Sequence, residues 1–195
     1  MSVSLYFGVP ESGKTSYALD RVRREIVETR RPAIILDSEQ ARNLAHIPRA
    51  ASRLDAFKAA AEGKSTRYVP SGEDDVDRFT VAVRTYQNCI YVIDEFGYWA
   101  NAHSILPSVK QIIRGHRHRG ISLHATTQYP GDLAPLVFQC ADHLYVFRCK
   151  NINALKRLED AYRLPREVVE ALPPGTCLHV EKWTPPGQYE VIKYF

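Results

Sequence analysis

Long apolar runs are missing from this sequence, and so is any Cys-x-x-Cys pair. No apolar stretch approaches the roughly 20 residues of a membrane-spanning helix, and no charged segment followed by a long apolar one begins the chain. We therefore expect a cytoplasmic protein without a membrane span. The cysteines lie mostly in apolar, strand-like contexts, which predicts reduced core side chains and excludes a thiolate metal site or disulfide framework; they are Cys89, Cys140, Cys149 and Cys177.

Repeats, low-complexity segments and an obvious linker are also absent from the 195 residues. A hydrophobic content of 45% is sufficient for a sizeable core, so we expect a single domain. Residues 1–150 would form its core, and residues 151–195 would add helices and a hairpin. The net charge of +4 is mild; it permits an anionic partner but does not identify one.

The most informative stretch follows a short apolar run near the N-terminus. It reads Gly8-Val9-Pro10-Glu11-Ser12-Gly13-Lys14-Thr15-Ser16 and matches the phosphate-binding pattern G-x-x-x-x-G-K-[ST]. Two glycines let the backbone curl so that N–H groups hold phosphate oxygens, and a helix from about Thr15 directs its positive end at the same anion. Lys14 would reach the β- and γ-phosphates, and the Thr15 hydroxyl would bind Mg²⁺.

A glycine-rich turn that spells this motif by chance is the alternative. The predicted strand before it and the helical pattern after it favour a loop that binds nucleoside triphosphate. The residues predicted to bind it are Gly8, Pro10, Glu11, Ser12, Gly13, Lys14, Thr15 and Ser16.

A second apolar run, Cys89-Ile90-Tyr91-Val92-Ile93, ends in two carboxylates, Asp94 and Glu95. The pattern indicates a buried parallel strand with both acids at its carboxyl end, where open α/β sheets bind ligands. Asp94 would hold Mg²⁺ through water, and Glu95 would orient or deprotonate the attacking water. An acidic turn after a strand is common, but the upstream phosphate loop favours the catalytic interpretation.

A third buried strand is predicted before Thr126-Thr127-Gln128. Gln128 at its end would sense the γ-phosphate or position water. The residue spacing alone favours the simpler alternative, a polar residue that ends the strand without a catalytic role. Upstream, residues 110–119 contain four basic side chains and no acid. His116 and His118 lie between them, but positions i and i+2 face apart on a helix, so we do not expect them to bind metal.

The remaining pattern alternates helices with apolar strands. Helices are predicted over 16–30, 74–86, 133–140, 151–162 and 165–172, and a helical segment over 96–113 that Pro107 breaks or restarts. Residues 177–183 and 189–194 would form a β-hairpin. The expected fold is an α/β P-loop NTPase of the RecA/ASCE-like type, with a mostly parallel central sheet, helices on both faces and a small C-terminal β-hairpin.

One segment resembles a known superfamily. Arg114, Arg117, Gly120, Ile121, Thr127, Gln128 and Pro130 match in register the "AR-x-x-R-x-x-GI…ATQ-x-P" pattern of the FtsK–HerA superfamily of DNA-pumping ATPases. The likeness extends from Phe7 to about Arg148. The Thr126-Thr127 pair departs from the usual pattern, in which a small apolar residue precedes Thr-Gln. The short chain is similar in length to genome-packaging ATPases of membrane-containing icosahedral viruses.

The resemblance implies an ATP- and Mg²⁺-dependent motor, expected to be a viral genome-packaging ATPase. It would assemble into a ring, expected to be a hexamer, and pump double-stranded DNA into a capsid without reading the DNA sequence. Gln128 becomes the polar sensor. Arg117, Arg114 or Arg148 would complete a site, one of them across the subunit boundary. A capsid or membrane-vertex protein would dock the ring, and the protein would be found in the host cytoplasm, in the virion, or in both.

Two other functions fit the motifs less well. A nucleotide or small-molecule kinase would have the same size and phosphate loop, but a second carboxylate and a glutamine at neighbouring strand ends are typical of an enzyme that activates water. A P-loop virion-assembly factor that does not move DNA usually carries a membrane segment, and none is expected here.

Overall fold

The computed structural model describes residues 1–40 and 42–194; the side chains of Arg42 and Pro130 lie outside that description. Its strands form one eight-stranded sheet in the order β3-β2-β4-β5-β1-β6-β7-β8. They are β1 (Val3–Phe7), β2 (Ala33–Leu36), β3 (Thr66–Tyr68), β4 (Ile90–Ile93), β5 (Ser122–Thr127), β6 (His143–Val146), β7 (Thr176–Glu181) and β8 (Glu190–Lys193). The first six are parallel, and β7 and β8 continue the sheet antiparallel to β6.

Seven α-helices connect these strands in the described ranges. They are α1 (Lys14–Thr29), α2 (Arg53–Ala61), α3 (Glu73–Tyr86), α4 (Pro107–Gly115), α5 (Pro135–Cys140), α6 (Ile152–Tyr162) and α7 (Arg166–Glu170). None of them is long and apolar enough to cross a membrane. The predicted α/β fold with a mostly parallel sheet is confirmed, and the predicted C-terminal hairpin is β7–β8.

The central strands are buried on both faces, as their unbroken apolar sequences predict. Along β4, Tyr91 and Ile93 pack into a core that also contains residues of α3, α4 and α6, whereas Ile90 and Val92 face the opposite core, against α1. Successive side chains of a strand point to opposite faces, so this alternation places helices on both sides of the sheet.

The segment between β4 and α4 corrects one prediction. Instead of a helix from Phe96 onward, it forms a single 3₁₀ turn, Phe96–Tyr98, and then an irregular loop with isolated bridges to Ile105 and Leu133. The helical residues begin at Pro107, the first residue of α4. Proline disfavours helical geometry in the residue before it, so its ring fits the start of α4 and prevents an earlier helix from continuing through.

β5 lies between β1, which leads into the phosphate-loop motif, and β4, which leads into the two carboxylates. Because these three strands are parallel, their carboxyl ends share one edge of the sheet. That edge brings together chain segments about 30 to 120 residues apart in sequence.

Candidate active site

The phosphate-loop motif forms a tight turn from the end of β1 to the start of α1. Its first amide, on Gly8, donates to the Thr127 carbonyl (3.3 Å), and the next, on Val9, donates to the Arg148 carbonyl (3.1 Å). Gly13, at φ 91°, is in the left-handed region that favours glycine. The loop is therefore held by the two strands on either side of β1.

The interior of this loop suits a phosphate group. The hydroxyl of Ser12 is buried and has no hydrogen-bond partner within residues 1–40 and 42–194. A Cβ added at Gly8 would lie only 2.5 Å from that hydroxyl, so glycine is needed for the loop to close here. An unpaired buried polar atom beside the N-terminus of α1 is what an anionic ligand with acceptor oxygens would satisfy.

Lys14 lies opposite Glu95. Its ammonium is 3.5 Å from the Glu95 carboxylate, and both side chains are less than a tenth exposed. A buried ion pair of this kind holds both charges in place, and a phosphate entering the loop would compete with Glu95 for the ammonium. The carboxylate is thus kept next to the position that a γ-phosphate would take.

Residues at the carboxyl ends of β4 and β5 position the Glu95 carboxylate. The Gln128 side-chain amide donates to Glu95 Oε1 (2.9 Å), and the Gln128 backbone amide donates to Oε2 (3.3 Å). Glu95 itself has φ 50°, an uncommon conformation for a residue with a side chain. The predicted base and the predicted sensor are therefore in direct contact.

Asp94 forms the neighbouring, metal-suited part of the site. Its Oδ1 accepts a hydrogen bond from Thr126 (2.6 Å) and lies 3.5 Å from the Thr15 hydroxyl. Burial raises the pKa of Asp94 to about 6, and the nearby Glu95 adds to the effect. A hydroxyl and a carboxylate facing each other provide the oxygen ligands that Mg²⁺ requires, so the residues fit the predicted ion.

Thr126, a residue that the sequence did not single out, connects the two acids. Its hydroxyl accepts from the Glu95 amide (3.2 Å) while it donates to Asp94. Asp37 was missed as well: it follows β2 at the same edge, fully buried, and pairs with Arg67 at 2.6 Å. The sequence carries a signal for it, because Asp37 ends the apolar run of residues 33–36 just as Asp94 ends the run of residues 89–93.

The C-terminal strand also reaches the phosphate loop. The Tyr194 hydroxyl donates to the Ser12 carbonyl (2.8 Å), and the ring packs against Tyr17 and Phe147. No local pattern predicts a contact between residues 182 positions apart.

The three candidate arginines occupy different places. Arg148 is exposed beside the phosphate loop of its own chain and lines a cavity of about 260 Å³ with Pro173 and Pro174. Arg117 forms an ion pair with Asp142, the residue before β6. This ion pair lies at the amino ends of the parallel strands, whereas the site lies at their carboxyl ends. A four-residue strand such as β6 separates its two ends by about 13 Å.

Arg114 is exposed on α4, the helix that leads to Arg117. The structure thus brings Lys14, Thr15, Asp94, Glu95 and Gln128 together with the phosphate loop. It does not bring Arg117 to the same site.

No protein-family model matches the chain, and no curated protein matches it significantly. Solved structures do. The genome packaging NTPase B204 from Sulfolobus turreted icosahedral virus 2, in complex with AMPPCP, superposes with a TM-score of 0.82 at 21% identity, covering 100% of this chain and 98% of that one. This chain has the fold of a P-loop ATPase.

Other solved structures share the fold. B204 of Sulfolobus turreted icosahedral virus, described as a DNA-packaging ATPase, gives a TM-score of 0.75 at 19% identity over 100% of this chain and 98% of that one. The cytoplasmic domain of the type VII secretion ATPase EccC of Thermomonospora curvata gives a TM-score of 0.65 at 15% identity, over 99% of this chain and 23% of that one. The resemblance predicted from the arginine-to-glutamine segment is confirmed at the level of the fold.

The raised pKa of Asp94 leads to a stability prediction. A carboxylate whose folded pKa lies near 6, above its unfolded value near 4, costs stability as pH rises through that interval. At neutral pH the cost is about 2–3 kcal/mol, since each pKa unit is worth about 1.4 kcal/mol. We expect Asp94→Asn, which can still accept from Thr126, to raise the melting temperature of the ligand-free protein by roughly 5–10 °C at pH 7.5.

The same comparison at pH 4 should show almost no difference, because Asp94 is then protonated in the folded protein. Exposed Asp74→Asn, in the first turn of α3, serves as the control and should change the difference between the two pH values by no more than about 3 °C, the size of a surface charge's interaction with a helix dipole. An Asp94→Asn variant that melts below the wild type at pH 7.5 would contradict the assignment.

Proposed function

We propose that this protein hydrolyses ATP and uses the energy to move double-stranded DNA, as a viral genome-packaging motor does. The observation that carries the proposal is the contact of Glu95 with both Lys14 and Gln128 at the mouth of the phosphate loop. A carboxylate held there can accept a proton from water. A kinase would use a carboxylate there to take the proton of an acceptor hydroxyl and would have to keep water out, whereas the polar Gln128 side chain beside Glu95 favours water as the nucleophile.

Each residue has a distinct task in this reaction. The loop amides and Lys14 bind the β- and γ-phosphates, and Thr15 with Asp94 would hold Mg²⁺, whose charge, when it is bound, offsets that of the phosphates. Once the γ-phosphate takes over the Lys14 ammonium, the Glu95 carboxylate is released to orient a water molecule in line with it. Gln128 keeps that carboxylate in place through its two hydrogen bonds.

The base of the nucleotide would occupy the cavity beside Arg148. The cavity adjoins the loop at Pro10 and Glu11, and two proline rings form part of its wall. The apolar faces of the proline rings and the planar guanidinium offer surfaces against which a purine can pack. This would make Arg148 a binding residue of its own chain.

The DNA part of the proposal is supported by the basic segment and by the similar proteins. Lys110, Arg114, Arg117 and Arg119 lie along α4 and the 3₁₀ turn after it, on the exposed or partly exposed surface. Solved structures with the same fold are described as genome-packaging or DNA-packaging enzymes. We propose a ring, most simply a hexamer, in which contacts to DNA phosphates are strongly salt-dependent and an arginine of one chain completes the neighbouring site.

The destination of the γ-phosphate tests the enzymatic half of this proposal. With Mg-ATP and long double-stranded DNA at low salt, we expect the phosphate to appear as free inorganic phosphate in solution. Radiolabelled γ-phosphate, followed with and without nucleoside monophosphates and small alcohols, gives the measurement. Label that appears on an added acceptor would show a kinase and would overturn the proposal.

A further inference from the structure

Two histidines and a glutamate form a cluster on the sheet edge opposite the phosphate loop. β6 and β7 pair antiparallel, with His143 opposite Glu181 and Tyr145 opposite His179. Since alternate residues of a strand share a face, these four side chains lie on one face of the sheet. The cluster therefore joins the last strand of the parallel sheet to the first strand of the C-terminal hairpin.

The spacing of the nitrogen atoms fits a metal ion. His143 Nδ1 is 3.3 Å from His179 Nε2, and the two ring centroids are 5.4 Å apart. Tetrahedral zinc with Zn–N bonds near 2.05 Å requires about 3.3 Å between the nitrogens and about 5.2 Å between the centroids. One ligand atom from each of His143, His179 and Glu181 lies within 4.8 Å of the other two, so a small rotation of the exposed carboxylate completes the set.

The surroundings hold His179 in the orientation that a ligand needs. Its second nitrogen, Nδ1, lies 3.4 Å from the carboxylate of Glu190 on β8. A carboxylate that accepts from the far nitrogen leaves Nε2 with a lone pair, the usual arrangement around protein zinc sites, and the bound ion would replace the present contact of Nε2 with His143 Nδ1. The imidazole also stacks on Tyr145, with centroids 4.5 Å apart and planes 6° apart.

Charge and access are also suitable. Arg24 and Arg31 line a cavity together with His143, and the cation that acts on the His143 charge is Arg21, whose guanidinium carbon is 6.0 Å from the Tyr145 ring. The carboxylates of Glu181 and Glu190 offset it, and both residues are exposed. An ion can therefore reach the histidines from solvent, beside a cavity of about 240 Å³ that Thr184 and Gln188 help to line.

We propose that His143, His179 and Glu181 bind one divalent transition-metal ion of the zinc class, with water in the fourth position. Two imidazoles and one carboxylate suit Zn²⁺ far better than Mg²⁺, which prefers oxygen ligands. The bound ion would fasten β7 to β6. β8 pairs with β7 and leads to Tyr194, so the bound ion would also stabilise the strand that reaches the phosphate loop.

The test uses the full chain, stripped with a chelator and kept free of nucleotide, with zinc ions as the probe. We expect equilibrium dialysis with elemental analysis to give one zinc per chain in the presence of millimolar Mg²⁺. At zinc concentrations about a hundredfold above the dissociation constant, the melting temperature should rise by roughly 5–10 °C.

His143→Ala and His179→Ala should each lose that zinc, and the exposed change Glu181→Gln should weaken binding at least tenfold without risk to folding. Exposed His118→Ala, on the 3₁₀ turn after α4, is the matched control and should bind as the wild type does. Circular dichroism confirms that each variant is folded. The proposal would be overturned if the wild type bound no zinc. It would also be overturned if Glu181→Gln and folded His179→Ala each bound zinc as tightly as the wild type does.

Discussion

Glu95→Gln should bind ATP at least as tightly as the wild-type protein and hydrolyse it about 10²–10⁴ times more slowly. The amide keeps the size of the carboxylate and can still accept the hydrogen bond from Gln128 (2.9 Å). What it loses is the ability to take a proton from water, together with the charge that pairs with Lys14. Affinity should be preserved or increased because the loop amides and Lys14, which would hold the phosphates, are unchanged and the phosphate no longer competes with Glu95 for the ammonium.

Steady-state phosphate release and nucleotide affinity, measured on the same preparation, separate these two effects. The control is Glu62→Gln, an exposed glutamate whose recorded partner is Lys64, and it should leave both values unchanged. If Glu95→Gln retained more than a tenth of the wild-type rate, Glu95 would not be the general base.

The double variant Arg114→Ala/Arg117→Ala should lose about 10³-fold or more in turnover, the range seen where an arginine from a second chain completes a phosphoryl-transfer site. In a single chain Arg117 is bound to Asp142 at the edge opposite its own phosphate loop. It can therefore complete a phosphate site only on a neighbouring chain. Arg148→Ala, beside its own loop, should instead raise the KM for ATP by about tenfold.

Mixing subunits distinguishes these roles. Combining the double variant with Glu95→Gln should restore activity, because a mixed ring contains interfaces with an intact carboxylate on one chain and intact arginines on the next. Arg148→Ala with Glu95→Gln should not exceed the activity of Arg148→Ala alone. Lys110→Ala, on the same helix as Arg114, is the control for lost positive charge. If mixing restored nothing, the site would not be shared between chains through these arginines.

The sequence was sufficient for the parts of the site that lie next to strand ends. Gly8 through Ser16 follow one apolar run and Asp94-Glu95 follow another, and parallel strands bring their carboxyl ends to one edge. The contact between Glu95 and Gln128 follows from the same rule once β5 is placed next to β4. The pattern predicts such contacts because the sheet geometry is regular.

Other features depend on tertiary structure that has no local signal. Thr126 was seen only as a polar strand end; its role of connecting Asp94 to the Glu95 amide requires the register of β4 against β5. Tyr194 reaches Ser12 because β7 and β8 extend the main sheet instead of forming a separate hairpin. The loop before Pro107 looked helical because its apolar residues are spaced for a helix, but they pack into the core without forming one.

The dependence of ATP hydrolysis on DNA tests the motor hypothesis most directly. Phosphate release by the wild-type protein should rise when long double-stranded DNA is added at roughly 50 mM salt, and the stimulation should fall steeply towards roughly 200 mM as contacts to DNA phosphates weaken. Glu95→Gln should bind the same DNA without turnover. Hydrolysis that proceeds at one rate with and without DNA across this salt range, in a protein that forms rings, would contradict DNA translocation as the function.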